Sequence, residues 1–330
     1  MISYFTIIMG RKKEYDIQIL RAIAIIAVVL IHTTPPGYYQ VLCRPFINYP
    51  VGLFLFLSGY LTKTNYSNWL SFYQRRIIRV LVPYILWSVI YSMPPLGNPS
   101  SLVYNLITAS AAGHLYYLPV YMQLVLLTPF LLRLSRTQYQ LLCWIISPLS
   151  IILFAYTQYY FGIGLNAYIS LFFDITCFSW FIFYYLGFVL GNKLIVLKFN
   201  SNKIGILLIL SIILQIIEGY VLLRLGMSNC GTQIKLTSLL TTVLCCIIVN
   251  HLLTTKTINI RSKLLYTIGN YSFGIYLCHI FFITVAHLFP AYQNIPYILN
   301  TTLILSVSLV FCYACDRLLS TTICKWFGIK

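Results

Sequence analysis

The sequence of 330 residues is dominated by a succession of long apolar runs that short polar breaks separate. Hydrophobic residues make up 60% of the chain and charged residues only 8%, whereas a soluble domain normally carries about 25% charged residues. So few charges cannot cover a water-facing surface, and disordered chains are poor in apolar residues. The pattern therefore predicts an all-α, polytopic transmembrane helix bundle.

The apolar runs predict about ten membrane spans, because a spanning helix needs roughly 20 apolar residues. The expected spans are residues 16–34, 47–64, 77–93, 115–133, 139–157, 171–191, 204–223, 236–253, 271–289 and 298–317. Residues 1–15 are expected to form a cytoplasmic or interfacial lead-in, since the charges of MISYFTIIMGRKK follow its apolar stretch, unlike those of a signal peptide. Residues 1–330 are expected to form a single integral-membrane domain.

The distribution of basic residues predicts the orientation of the bundle. With the N-terminus inside, 18 of the 22 lysines and arginines fall in cytoplasmic segments, and only Arg44, Arg224 and Lys235 fall in outer ones. Cytoplasmic loops of membrane proteins carry an excess of Lys and Arg, so both termini are expected in the cytoplasm. A net charge of +17 would suggest nucleic acid in a soluble protein. Here topology explains the charge, and no nucleic-acid partner is expected.

Arg21 and His32 are polar residues within one apolar span, in RAIAIIAVVLIH. Eleven steps of about 100° bring them to one helix face, separated by about 16 Å along the axis. A charge within the membrane costs at least about 2.5 kcal/mol, so Arg21 should face the bundle interior or reach the cytoplasmic interface. From the residues alone, a functional pair and a structural pair (an interface anchor and a hydrogen-bonded histidine) both remain open.

Arg75, Arg76 and Arg79 form a cluster at the cytoplasmic end of the third span, in FYQRRIIRVLVPYILWS. Arg76 and Arg79 are three residues apart, so they share a helix face. The planar guanidinium group suits bidentate binding of phosphate. On composition alone, however, ordinary anchoring of a membrane helix by cytoplasmic arginines is the favoured interpretation.

Other polar residues in the spans give weaker indications. His114 stands at the start of HLYYLPVYMQLVLLTP and His279 lies in GNYSFGIYLCH, and a lone histidine in a bundle is more often structural than catalytic. Asp316, near the inner end of the tenth span, could pair with Arg317 or orient a histidine. Cys312 and Cys315 form a CxxC without a second pair or a suitably spaced histidine, so no metal site is expected.

Together these segments resemble the acyltransferase family 3 membrane proteins, which include enzymes that O-acetylate bacterial surface polysaccharides. The resemblance begins with the arginine and histidine, separated by ten residues, in YDIQILRAIAIIAVVLIH and continues through VGLFLFLSGYL and the Arg-x-x-Arg of RRIIRVLVPY. HLYYLPVYMQLVLLTP, FYYLGFVLG and GNYSFGIYLCH follow in the family's order. Tyr116 or Tyr117 replaces a common tryptophan, and Asp316 stands near the position of a common glutamate.

The resemblance implies an enzyme that transfers an acyl group, expected to be acetyl, from cytoplasmic acyl-CoA to a saccharide hydroxyl. It implies that Arg76 and Arg79, with Arg75 beside them, bind the anionic end of CoA. Arg21 would extend this basic region or steady the thioester, and His32 would act as general base. Asp316 is carried over as a third catalytic candidate. Acyl-CoA is a donor substrate, and no tightly bound cofactor is expected.

The acceptor implied by the resemblance is a cell-surface saccharide or a lipid-linked glycan of the cell envelope. The protein would be a multi-pass protein of the bacterial cytoplasmic membrane, in contact with membrane lipid. An exporter or transporter of a polysaccharide or lipid-linked saccharide is the main alternative, because a helix bundle with intramembrane Arg and His would also suit transport.

Overall fold

The computed structural model describes residues 2–64, 66, 68–135, 137–161, 172–173, 175–198, 200–227 and 230–329. Helices account for the regular structure, and no strand occurs within these ranges. In chain order the helices are α1 (Ile2–Thr33), α2 (Tyr38–Ile47), α3 (Pro50–Tyr60), α4 (Trp69–Tyr73), α5 (Arg79–Ser92), α6 (Leu102–Thr108), α7 (Tyr117–Leu134), α8 (Gln140–Ser150), α9 (Thr157–Phe161), α10 (Phe181–Gly191), α11 (Ser201–Arg224), α12 (Leu236–Thr255), α13 (Lys263–Asn270), α14 (Ser272–His287), α15 (Tyr297–Leu318) and α16 (Thr321–Trp326). The all-α prediction is confirmed.

Seven helical segments in the described part of the chain are long and apolar enough to cross a membrane. They are Lys12–Thr33, Tyr38–Tyr60, Tyr117–Leu134, Gln140–Tyr160, Ser201–Arg224, Leu236–Thr255 and Tyr297–Leu318. The pair α13 and α14 gives an eighth if its 78° bend lies within one span. The predicted third span corresponds to α5, which has only 14 residues, and the predicted sixth to a shorter apolar helix, Phe178–Gly191. The count of ten therefore stays a prediction.

Helices α3 and α10 pack so closely that their backbones touch at glycine residues. A Cβ added to Gly187 would lie 2.0 Å from the carbonyl oxygen of Phe56, and one added to Gly59 would lie 2.1 Å from that of Tyr184. Small residues at helix crossings let the backbones approach closely, which is how helices associate in membranes. These glycines bring the N-terminal helices against α10, whose residues are almost all buried.

Helix α1 is the central element of the site. Ala22, Ala24, Ile25 and Val29 are fully buried along it, and the helix packs against α3, α13, α14 and α15. Helix α1 is enclosed on several sides, and two of its polar residues, Arg21 in its second half and His32 near its C-terminal end, line protein cavities.

Several basic segments that were predicted to be cytoplasmic meet at one end of the bundle. The Lys12 Nζ atom donates to the carbonyl oxygen of Lys256 at 2.8 Å, and the Arg261 guanidinium lies over the Tyr15 ring at 5.4 Å. The orientation of this end toward the cytoplasm stays a prediction. Arg136, Asp174 and Lys330, as well as the side chain of Arg11, lie outside the described residues.

Candidate functional site

A cavity of about 500 Å³, here called the arginine cavity, opens at the end of the bundle that carries these basic segments. Its lining residues are Arg21, Phe54, Ser58, Leu61, Tyr66, Phe72, Arg75, Arg76, Arg79, Val80, Tyr117, Tyr121, Asn270, Ser272, Phe273, Tyr276, Gly328 and Ile329. Four of them are arginines and none is acidic. A concave site with four guanidinium groups and several aromatic rings suits an anionic ligand that also has a flat ring.

A π-helical turn, Gln74–Ile78, places the arginine cluster. It joins α4 to α5 without a break, so the helix is locally wider than an α-helix between Arg75 and Arg79. Such turns inside α-helices frequently occur at functional sites. Here the turn lets Arg75, Arg76 and Arg79 all line the arginine cavity. Arg75 and Arg79 also line a neighbouring cavity of about 460 Å³ together with Lys325 and Trp326.

Arg76 is held in place by neighbours that carry no negative charge. Its Nη1 atom donates to the Thr62 hydroxyl at 2.8 Å, and its guanidinium lies 5.2 Å from the centre of the Phe72 ring. The Tyr184 hydroxyl lies 3.2 Å from that of Thr62. The arginine is therefore oriented without being neutralised, which leaves its charge for a ligand.

A second cavity of about 510 Å³, here called the histidine cavity, contains His32. Its lining residues are Val28, Ile31, His32, Arg44, Val51, Thr108, Ala109, Ser110, Gly113, His114, Tyr116, Ile175, Trp180, Thr232, Gln233, Ile234 and Tyr276. His32 is exposed to this cavity, although it belongs to the buried helix α1. A small molecule in the cavity could therefore reach the imidazole.

Three histidines from separate parts of the chain converge at the histidine cavity. The His279 ring lies 5.1 Å from that of His32 and 5.0 Å from that of His114, measured between ring centres. The Nδ1 atom of His279 lies 2.7 Å from the carbonyl oxygen of Tyr276. A carbonyl oxygen only accepts hydrogen bonds, so Nδ1 carries the proton and Nε2 is left as an acceptor.

His114 precedes the membrane-spanning helix α7 and is almost fully buried. Burial lowers the pKa of His114 well below its ordinary value, and the neighbouring His279 and His32 lower it further. A charged imidazole would be poorly solvated at this position. His114 is therefore neutral at physiological pH and adds no charge to the cluster.

Tyr276 forms the wall between the two cavities and lines both of them. Its hydroxyl donates to the backbone carbonyl oxygen of His114, and its ring packs edge-on against Tyr117 at 5.4 Å. The side chain is buried. A ligand in the arginine cavity and one in the histidine cavity would thus each lie against this residue.

The family model of the acyltransferase domain, acyltransferase family 3, matches residues 14–317, which is almost the whole chain. The chain belongs to acyltransferase family 3. It is therefore a membrane acyltransferase, and the match contains every residue of the arginine cluster and all three converging histidines. Searches of curated proteins and of solved structures gave no match.

The structure assigns the predicted site residues of this acyltransferase to two places. Arg21 lines the arginine cavity together with the arginine cluster, whereas His32 lies in the histidine cavity. Both residues belong to helix α1. The two cavities therefore lie at different levels along this helix.

Asp316 lines neither cavity. Its Oδ2 atom accepts a hydrogen bond of 2.7 Å from the hydroxyl of Tyr271, the residue at which α13 and α14 meet at a 78° bend. The neighbours Asn270 and Ser272 line the arginine cavity. The structure thus places this acyltransferase's Asp316 beside the bend and not beside His32, so the aspartate supports the cavity wall from outside.

Several residues in or beside the two cavities were not predicted as site residues. His114 and His279 were recognised only as isolated histidines, and Arg44 only as an outer charge. The only sequence signal for these two histidines was their position in the family's motif blocks, His114 in HLYY and His279 in YLCH. No group of three or more His, Cys, Asp or Glu side chains in the described ranges has the geometry to hold a metal ion.

Proposed function

We propose that this acyltransferase moves an acyl group, expected to be acetyl, from cytoplasmic acyl-CoA to a hydroxyl of a cell-surface saccharide or lipid-linked glycan. The proposal includes a location in the bacterial cytoplasmic membrane. The observation that carries it is the arginine cavity, in which four guanidinium groups line one space and no acidic side chain is among the lining residues.

The donor would bind in the arginine cavity. Acyl-CoA carries several phosphate charges at one end, and arginine forms strong charge-assisted hydrogen bonds with phosphate oxygens. Arg75, Arg76 and Arg79 would hold these phosphates, while Tyr66, which also lines the cavity, would pack against the adenine ring. Arg21, on the neighbouring helix, would bind closer to the thioester.

The acceptor would bind in the histidine cavity. His32 would take the proton from the attacking hydroxyl as general base, a role that typically contributes about 10² to 10⁴ in rate. The new bond joins the acyl carbon to the hydroxyl oxygen, the thioester C–S bond breaks, and CoA leaves as the thiol after gaining a proton. Tyr276, which both cavities share, marks where donor and acceptor would meet.

Labelling of membrane saccharide from radioactive acetyl-CoA tests this proposal. Membranes containing the wild-type protein should label saccharide, and membranes containing His32→Ala should not. His287→Ala is the matched control, because His287 is exposed and lines none of the three cavities described. If His32→Ala labels saccharide as well as the wild type does, the general-base role is wrong. If the wild type labels no more saccharide than membranes that lack the protein, an exporter becomes the better account.

A further inference from the structure

Arg44 is a cation in the histidine cavity that the proposed reaction does not use. It lies in α2 and lines the cavity that contains His32. Its Nε atom is buried and has no hydrogen-bond partner. No carboxylate in the described part of the chain forms an ion pair with it, and the histidine cavity has no acidic residue among its lining residues. Such a charge needs a partner.

The fold holds the Arg44 side chain at a defined position. Its aliphatic stem lies across Gly231, where an added Cβ would come within 2.6 Å of the Arg44 Cγ atom. Gly231 itself is fixed from both sides. Its backbone N–H donates to Gln40 at 3.3 Å, and its carbonyl oxygen accepts from Asn48 Nδ2 at 3.2 Å. The aliphatic stem of Arg44 therefore packs on a hydrogen-bonded stretch of backbone, while its guanidinium keeps its hydrogen-bonding capacity for a ligand.

Aromatic rings lie in the same cavity. Tyr116 and Trp180 both line it, with their ring centres 5.8 Å apart and their planes inclined by 31°. Ser110, Thr232 and Gln233 add hydrogen-bonding groups. Flat aromatic faces beside polar side chains suit a sugar ring, which has an apolar C–H face and polar hydroxyl edges.

We propose that the saccharide bound in the histidine cavity is anionic, and that Arg44 binds its carboxylate or phosphate group. This inference rests on the proposed function, since it assigns the acceptor to this cavity. The guanidinium fork matches either anion in a bidentate arrangement, and the scarcity of competing charges in the cavity strengthens the pair. Tyr116 and Trp180 would pack against the sugar ring while His32 faces one of its hydroxyls.

A glycan array tests the proposal without an acyl donor. The full-length protein in detergent is labelled and applied to uronic-acid-containing glycans, glycans bearing phosphate, and neutral glycans of matched backbone. We expect binding to acidic glycans and little binding to neutral ones. The variants are Arg44→Gln, Arg44→Lys and the control Arg224→Gln, because Arg224 is exposed and donates to the Tyr220 hydroxyl.

Arg44→Gln should weaken acidic-glycan binding by about tenfold or more, which corresponds to one charge-assisted hydrogen bond. Arg44→Lys keeps the charge and should show a smaller loss, so a folded variant is available if the Gln form is unstable. Equal binding of neutral and acidic glycans, unchanged binding by Arg44→Gln, or no glycan binding at all would overturn the inference. Acyl transfer to a neutral saccharide would do so while leaving the proposed function intact. Binding of acidic glycans without acyl transfer would support the inference about Arg44 and contradict the proposed function.

Discussion

The imidazole rings of His32 and His279 are in contact, with their centres 5.1 Å apart. His279 is fixed by its Nδ1 hydrogen bond to the carbonyl oxygen of Tyr276, and its Nε2 atom is buried without a hydrogen-bond partner. An acceptor atom beside a proposed general base can orient that base or share its proton. We therefore expect His279 to act as a positioning residue for His32.

We expect His279→Gln to lower kcat about tenfold, which is less than the 10² to 10⁴ expected from loss of the base itself. The KM for acetyl-CoA should not change, because His279 does not line the arginine cavity. The pH–rate profile should shift along with kcat. A lower kcat with an unchanged pH profile would mean that His279 only supports the fold.

Removing one arginine of the cluster should weaken donor binding. Arg76→Ala and Arg79→Ala should each raise the Kd for acetyl-CoA about 10- to 100-fold, because a hydrogen bond to a charged group is worth about 1.5–3 kcal/mol. Isothermal titration with the purified protein measures this. Arg224→Ala, which removes an exposed arginine that lines none of the described cavities, should bind normally. Wild-type affinity in both cluster variants would mean that these arginines only anchor the helix at the membrane surface.

Arg21→Lys tests whether the fork or only the charge matters at the inner part of α1. Lysine keeps a positive charge but loses the planar arrangement of donors. We expect impaired use of acetyl-CoA with normal membrane insertion. Insertion is measured from the amount of protein in the membrane fraction, and donor use from the rate of CoA release. Full CoA release by the lysine variant would show that charge alone is sufficient.

The crossing of α3 and α10 should not tolerate a larger residue. Gly187→Val would place its Cβ 2.0 Å from the Phe56 carbonyl oxygen. The two helices would have to separate to relieve this clash, and we expect the free energy of unfolding to fall by about 3 kcal/mol or more. Gly205→Val is the matched control, because that helical glycine has nothing within 4 Å of an added Cβ. Thermal unfolding in detergent should show a large loss for Gly187→Val and little change for Gly205→Val. Equal Tm values would contradict the crossing.

The buried His114 predicts a pH dependence of stability. Burial lowers its pKa in the folded protein, so the unfolded chain binds more protons as the pH falls below about 6.5. The protein should therefore lose stability as the pH drops through this region, and His114→Gln should lose less. Unfolding at pH 7.5 and 5.5 gives the comparison. A wild-type Tm that stays constant over this range would contradict the buried neutral state.

Much of the helical framework could be predicted from the sequence, because apolar run length and the membrane thickness together determine where helices form. The placement of Arg21 and His32 at separate levels of α1 also followed from helix geometry. Both inferences use only residues that are near one another in the chain.

The convergence of distant segments could not be predicted in this way. His32, His114 and His279 come from α1, from the segment before α7 and from α14, and only tertiary packing brings their rings together. The π-helical turn that adds Arg75 to the cavity has no sequence signature. Arg44 looked like an outer loop charge because its burial depends on the distant Gly231.

The central claim is that acyl-CoA enters at the arginine cavity from the cytoplasmic face. Sealed inside-out and right-side-out vesicles of a bacterial host that produces the protein are each given external radioactive acetyl-CoA, and incorporation into saccharide is measured. The account predicts labelling in inside-out vesicles and none in sealed right-side-out ones, with Arg76→Ala lowering the signal. Labelling only from the external face of right-side-out vesicles would contradict it.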